Sequence, residues 1–490
     1  MMVADNAHRL SLSTLHELDD ATRPLVDPRE LSPHVVHFGL GAFHRAHQAV
    51  YTEQAAAAAG EPWGIAAVEQ FGAQAVDLLN DQDNLYSVTD RAPGALTTRV
   101  VGSIVDAMVL GRDPHRVRAL LSKDQVGTVT LTVTEKGYYR RPNGELDREA
   151  APIAADLAAT AACAEPATIL GQLAAGLRAR RTAGGAPINV VSCDNMAGNG
   201  PALAGVVKGF VEASGWPDTG DLLAWMDGSV SFPATIVDRI VPATTAEDRD
   251  LASRALGLRD EMPVLGEPYR QWILQDEFVA ARPRWELSGA LFVPDVAPYQ
   301  LMKLRLLNGS HSAMAYLGLA TGCDTVADVL CTEWGESLVR AFGAEVAPSL
   351  PDAGLNVGAY IDDLVGRYRN PSMNHLLRQI GSDGSLKIPE RWLGPLRELR
   401  QLGIASPVLE LALAAWVGAT RPDGEGGTVF ATTDPASRAL AECWSGLATP
   451  AERVRRLLSA IGAQDLADSP DLTSAVAARI DGVVAGRVEL

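Results

Sequence analysis

In the run Lys303-Leu304-Arg305-Leu306-Leu307-Asn308-Gly309-Ser310-His311, a lysine, an asparagine and a histidine interrupt an otherwise apolar, helix-like pattern. With Lys303 as origin, a helix turning about 100° per residue puts His311 at about 80° and Asn308 at about 140°, in the sector of Leu304, Leu307 and Met314. One continuous helix would therefore bury all three polar groups. A lysine removed from water loses solvation of its ammonium form, so its pKa falls toward neutrality and it can act as a general base. Asn308 could then donate to an oxygen that gains negative charge, and His311 could orient a reacting hydroxyl. A plainer reading stands beside this one: Asn-Gly is a strong turn signal, and His311 would then be a core histidine.

The elements that must position these groups follow from hydrophobic patterning. Residues 35–38 read as a strand ending at Gly39, and a helical pattern runs through 43–59 and stops at Gly60. Residues 63–68, 128–134 and 188–193 read as further strands, the last leading through 194–200 into a helix. Strands alternating with helices predict an α/β fold with a mostly parallel, doubly wound sheet. The Ala-rich segment 151–180 is interrupted by Asp156, Glu165 and Arg178 and reads as helix packed on that sheet. From about residue 296 the pattern is almost wholly helical. These features predict a Rossmann-type N-terminal domain over 1–290 and a mainly α-helical C-terminal domain over 291–490, with the boundary falling within 283–296.

Gly39-Leu40-Gly41 between the first strand and the first helix is two thirds of the dinucleotide fingerprint, in which glycine lets the backbone approach a pyrophosphate. His44 stands where the third glycine belongs, which predicts looser packing of helix on strand there. Glu69, after the second strand, is the candidate acid for the ribose hydroxyls. With no arginine beside it to receive a 2′-phosphate, NAD is the expected cofactor rather than NADP. His37, His44 and His47 do not have the spacing or the companion carboxylate of a metal site, so no metal is expected.

A balance of 42 basic and 60 acidic residues, net −18, argues against nonspecific binding to nucleic acid or to anionic membrane and points to small-molecule partners. Five cysteines without C-x-x-C spacing suggest neither a disulfide framework nor a zinc knuckle. No basic-then-apolar leader and no apolar run of membrane-spanning length is present. A cytoplasmic enzyme is expected, as a monomer or small homo-oligomer.

Five segments, in order, carry a resemblance. They are Gly39-Leu40-Gly41-Ala42-Phe43-His44-Arg45-Ala46-His47, Thr132-Val133-Thr134-Glu135-Lys136-Gly137-Tyr138, Ser192-Cys193-Asp194-Asn195 with Asn199-Gly200, Val237-Asp238-Arg239-Ile240, and Lys303 through His311. Together they resemble the polyol-specific long-chain dehydrogenases, the mannitol dehydrogenase family, which includes mannitol 2-dehydrogenase and the hexuronate reductases. The resemblance implies a cleft between the two domains in which hydride passes between nicotinamide and a secondary alcohol without zinc. It implies Lys303 as general base, Asn308 and Asn199 as the pair that stabilises the alkoxide, and His311 as a substrate-orienting group. Asp238, Arg378 and Gln379 become the expected substrate contacts. Gly39, Gly41, Ala42, Phe43, Arg45, Glu69 and Glu135 become the expected cofactor contacts.

Two positions depart from the mannitol pattern: Gln300 replaces a glutamate associated with proton exchange, and Gln379 replaces a substrate-contacting arginine. The hexuronate reductases share the second glutamine, and Lys136-Gly137-Tyr138 and Asn370-Pro371-Ser372 lean the same way. The expected function is NAD-dependent interconversion of a polyol and a ketose, as in mannitol and fructose, with reduction of a keto-uronate such as fructuronate to mannonate as the alternative. The carboxylate of such an acid would need a cation, for which Arg239, Arg305, Arg378 and Lys387 are candidates. A regulator that binds NAD without turnover is the alternative of another class; the intact set Lys303, Asn308, His311 and Asn199 speaks against it.

Overall fold

The computed structural model describes residues 7–371 and 375–490, so Ser372 of the Asn370-Pro371-Ser372 run lies outside the described residues. The chain divides into two compact units, Met1–Val296 and Ala297–Leu490. The strands of the first unit are β1 (Ser32–Phe38), β2 (Trp63–Glu69), β3 (Tyr86–Ala92), β4 (Ala95–Val101), β5 (Ile104–Val109), β6 (Thr128–Leu131), β7 (Ile188–Ser192), β8 (Val230–Ser231), β9 (Thr235–Asp238), β10 (Val264–Gly266), β11 (Gln271–Gln275) and β12 (Leu291–Val293).

Six of them form one sheet in the order β5-β2-β1-β6-β7-β8, every pairing parallel. Counted along the chain, this is the doubly wound dinucleotide-binding order, with its switch point between β1 and β6. Alternate residues feed opposite faces. Val36, Phe38, Ala66 and Val68 join one core cluster, while Val35, Ile65 and Ala67 join another. Both faces are therefore covered, and the central strands are mainly apolar, with His37, Thr128, Thr130 and Asn189 among the buried polar exceptions. Two three-stranded sheets, β10-β3-β4 and β12-β11-β9, complete the unit, and patterning alone does not reveal them.

Two predicted elements are shorter than expected. The strand over 128–134 ends at Leu131, because the carboxylate of Asp194 takes the amides of Val133 and Thr134 out of the ladder. The helix over 43–59 is two helices, α1 (Ala42–Ala46) and α2 (Gln48–Ala59), broken at His47 with φ −122° and ψ −87°. Outside groups hold the break: Arg239 donates to the carbonyl of Ala46, and the Nε2 of His47 lies 2.9 Å from the carbonyl of Gln271. Helix α2 ends as expected at Gly60, whose φ of +67° is the left-handed cap that glycine adopts without strain.

The second unit is built from helices around Pro407–Ala419, a helix buried along nearly its whole length. It packs on Gly309–Ala320 and on Pro470–Val484. A Cβ on Gly418 would come within 3.1 Å of Val484, so the latter pair approaches closely. Two π-turns interrupt the α-helices of this unit, at Lys303–Asn308 and at Pro389–Leu393. Among the described residues no helix is long and apolar enough to cross a membrane, and none of the five cysteines is in a disulfide.

Candidate active site

In the first unit the crevice at the switch point is shaped by glycine. Gly39 has φ +110°, and a Cβ there would lie 2.5 Å from the carbonyl oxygen of Thr132, so no other residue fits between β1 and β6. A Cβ on Gly41 would meet nothing within 4 Å, which leaves open space in front of the loop. Glu69 closes the loop from the end of β2, accepting from Leu40 N at 3.2 Å and from Phe71 N at 3.1 Å. A carboxylate at this strand end is where ribose hydroxyls are bound in such folds. The loop, its open front and this acid fit an adenine dinucleotide.

The residues after the loop divide by burial. Ala42 and Phe43 are half-buried on the first turn of α1, whereas Arg45 is buried. Its guanidinium donates to the carbonyl of Met262 and stands over the ring of Tyr86, so Arg45 braces the loop from behind and is not a cofactor contact. His44 occupies the place of the missing glycine without loosening the packing. Its ring is fully buried and stacked on that of His37, whose nitrogens lie 2.7 and 2.9 Å from the hydroxyls of Thr130 and Thr132. Among the described residues no three His, Cys, Asp or Glu side chains could together hold a metal ion.

Beyond β6 and β7 the loops are tied by one acid. Asp194 accepts from Thr134 N at 2.7 Å and from Tyr138 OH at 2.8 Å, and burial pushes its carboxyl above the usual range despite these bonds. The clamp holds Thr134 at φ +66° and leaves Glu135 exposed at the start of the Glu135–Tyr138 turn. Backbone strain of this kind is characteristic of functional loops.

Asn199 does not behave as the resemblance implies. It is buried, its amide nitrogen donates to the carbonyls of Asp194 and Thr235 at 2.9 and 3.0 Å, and its oxygen accepts from Thr235 N at 2.9 Å. Both amide hydrogens are used, so Asn199 positions the 194–200 loop and has nothing left to offer an alkoxide. Asn195, four residues earlier in that loop, is the exposed asparagine at the C-terminal end of β7, where ligands of parallel sheets bind. Asp238 ends β9 and is buried beside Arg239, whose guanidinium is committed to Asp90, to Ala46 O and to Glu267 O at 3.0 Å.

In the second unit, Lys303 to Asn308 is neither a turn nor regular α-helix. Asn308 and Gly309 are both helical, with φ −69° and −64°, but the amide of Gly309 reaches back to the carbonyl of Leu304, five residues away. In a turn closed five residues apart, Asn308 stands over Lys303 rather than 140° around from it. His311, three residues on in the following α-helix, falls on the same side. The predicted helical wheel is thus corrected. On this geometry all three side chains fall on one side of the run, and each is half-buried rather than buried. The side-chain amide of Asn308 makes no hydrogen bond among the described residues. Gly309 is required by packing, since a Cβ would meet Phe342 Cζ at 2.9 Å.

Around this face, His311 lies against Tyr368 (ring centroids 4.7 Å) and His375 (5.9 Å), and Gln300 is half-buried on the preceding Ala297–Met302 helix. Burial, with the charge of Arg367, lowers the pKa of His375. Three of the four candidate cations for a substrate carboxylate are otherwise engaged. Arg239 is committed as above, Arg305 pairs with both oxygens of Glu398 at 2.6 Å, and Lys387 donates to the carbonyls of Ile380 and Ser382. Arg378 is exposed beside exposed Gln379, and its guanidinium makes no hydrogen bond or ion pair among the described residues.

The profile of the mannitol dehydrogenase Rossmann domain matches residues 33–287, and that of the mannitol dehydrogenase C-terminal domain matches residues 295–484. The chain belongs to the mannitol dehydrogenase family. It is an oxidoreductase by that membership. Among its relatives, D-mannonate oxidoreductase of Escherichia coli is 37% identical over 93% of this chain and 94% of its own. Mannitol 2-dehydrogenase of Cereibacter sphaeroides is 35% identical over 94% and 96%. Among solved structures, the Pseudomonas fluorescens mannitol 2-dehydrogenase, a ternary complex with NAD and D-mannitol, matches with a TM-score of 0.74 and 31% identity over 97% of this chain and 96% of its own.

Proposed function

We propose that this member of the family is an NAD-dependent, zinc-independent dehydrogenase of open-chain sugar alcohols, interconverting a polyol and its ketose as in D-mannitol and D-fructose. The observation that carries the reading is the common face of Lys303, Asn308 and His311 created by the π-turn. Gly39, Gly41 and the first turn of α1 would hold the cofactor's pyrophosphate and Glu69 its adenosine ribose, and the bound nicotinamide supplies or accepts the hydride.

The protein's own side chains handle the proton and the charge. In oxidation, the amine of Lys303 takes the proton of the secondary hydroxyl. Asn308 donates an amide N–H to the oxygen as charge builds on it, and His311 fixes the orientation of the hydroxyl. In reduction, the ammonium of Lys303 returns the proton to the carbonyl oxygen. Asp238 contributes to substrate binding, and Asn195 takes the place expected of Asn199 in the first unit's loop. Because a lysine serves as base, turnover should persist in EDTA. Glu69, with no arginine at its side, should give NADH at least about a tenfold preference over NADPH.

A second reading, reduction of a keto-uronate such as D-fructuronate, is favoured by Arg378 and Gln379 and by the likeness to D-mannonate oxidoreductase. NADH consumption with D-fructose and with D-fructuronate, side by side in EDTA, decides between them. Faster fructose turnover supports the polyol assignment, faster fructuronate turnover assigns Arg378 to the carboxylate, and turnover of neither overturns both.

A further inference from the structure

The backbone around the reacting face is held from outside its own helix. Three consecutive carbonyls each receive a side-chain donor. Leu307 O accepts from Tyr368 OH at 3.2 Å, Asn308 O from Arg391 Nη1 at 3.2 Å, and Gly309 O from Trp392 Nε1 at 3.0 Å. A carbonyl oxygen has two lone pairs, so it can keep its helical partner and still take a second donor that fixes it laterally. Arg391 also donates to Ser312 Oγ at 2.8 Å, one turn beyond Asn308. Arg391 and Trp392 both belong to the second π-turn, Pro389–Leu393, which packs on the first.

Arg391 is an expensive choice for packing alone. Burial is the largest influence on its guanidinium and lowers its pKa, and among the described residues no carboxylate forms an ion pair with it. Arg391 is half-buried with the charge of Glu390 acting on it but no ion pair among those residues, and a methionine would fill similar space without the cost of partly desolvating a guanidinium. What the guanidinium does provide is one nitrogen, Nη1, whose two hydrogens reach two points of the Gly309–Ala320 helix and its entry.

We propose that Arg391, Trp392 and Tyr368 are positioning residues that brace the π-turn and thereby set where Asn308 and His311 stand relative to Lys303. The proposal rests on the reading of that face as the reacting one. A misplacement of the order of an ångström at a reacting group costs about 100-fold in rate, so the brace acts on kcat rather than on binding.

The test uses the full chain with NADH and the better of D-fructose and D-fructuronate. Arg391→Met is expected to lower kcat about 100-fold while KM and the Kd for NADH stay within about twofold, and deuterated NADH should show an enlarged isotope effect as hydride transfer becomes limiting. Arg391→Lys keeps one donor for Asn308 O and should recover most of the loss, while Trp392→Phe should show a smaller drop of the same kind. Hydrogen exchange across 303–316 should quicken in Arg391→Met at 307–312. If kcat per folded molecule stays within about twofold of wild type in both Arg391→Met and Trp392→Phe, the proposal is overturned. If wild type turns over neither ketone, the functional reading fails, and the exchange measurement alone then decides the brace: unchanged exchange at 307–312 overturns it, and faster exchange supports it.

Discussion

The imidazole of His44 lies flat on that of His37, with ring centroids 3.3 Å apart and planes inclined by 10°. Protonating either ring would place a cation where both rings are fully buried and against its neighbour. Burial accordingly lowers His37 well below the ordinary histidine value of 6.5 and lowers both His44 and His47, which are also buried, to about 3. The flanking charges are Arg45 beside His44, and Arg239, Arg270 and Asp238 around His47.

Acid should therefore unfold the first unit early. The unfolded histidines titrate near 6.5, so their contribution is complete above that pH and is lost as pH falls toward 3. Glu53 works in the opposite sense, since burial raises it from 4.5 to about 7 and stability from this group falls as pH rises between those values. Burial raises Asp90, Asp194 and Asp260 in the same sense as Glu53, so these acids lessen the slope that the three histidines impose between pH 6.5 and 5.5. Urea midpoints at pH 7.5, 6.5 and 5.5 should fall steadily with acidity, and His44→Gln should flatten the fall; a midpoint independent of pH would contradict the neutral stack.

Lys303→Ala should reduce kcat by about 100- to 10,000-fold, the range for loss of a positioned acid–base group, without changing the Kd for NADH. Stopped-flow turnover and fluorescence titration of NADH on the same sample check both halves. Wild-type turnover at neutral pH in this variant would remove Lys303 as the base.

Asn308 and Asn199 should separate cleanly. Asn308→Ala removes a donor from the reacting oxygen and should cost about 100- to 1000-fold in kcat with little change in melting temperature. Asn199→Ala strips buried partners of their hydrogen bonds and should cost about 2 kcal/mol of stability, with a smaller effect on kcat per folded molecule. Equal kinetic losses in the two variants would restore Asn199 to the reacting site.

Gly309→Ala places a methyl 2.9 Å from Phe342 Cζ. The gain in helix propensity of about 1 kcal/mol is opposed by overpacking of about 1 to 3 kcal/mol, so the variant should be less stable or should shift the π-turn and lose activity. Phe342→Leu in the same chain makes room and should restore both, a coupling that a double-mutant cycle measures. Additive effects would mean that the two residues do not meet.

The sheet was legible because its signals are local: apolar runs, a glycine pair after the first strand, an acid after the second. The polar members of the Lys303–His311 run stood out by residue type, but their arrangement did not, since a wheel drawn at 100° per residue cannot represent a π-turn. Arg45 and Asn199 have the right types for a site and the wrong surroundings. Their partners, Met262 and Thr235, lie 217 and 36 residues away, and only the fold brings them near. The glycine in Asn308-Gly309 was read as a possible turn signal, and its cause is a phenylalanine on the neighbouring Gly335–Val346 helix.

The helix Pro407–Ala419 has an order of synthesis built into it. Its residues emerge before those of Pro470–Val484, the segment that covers one side of it. Until the later helix is made and docks, a strongly apolar surface is left bare on a nascent chain, which is the condition that recruits chaperones and seeds aggregates. Premature termination or proteolysis between the two helices should therefore yield insoluble material rather than a shortened, folded unit, and the second unit should complete its folding only once that cover has been translated.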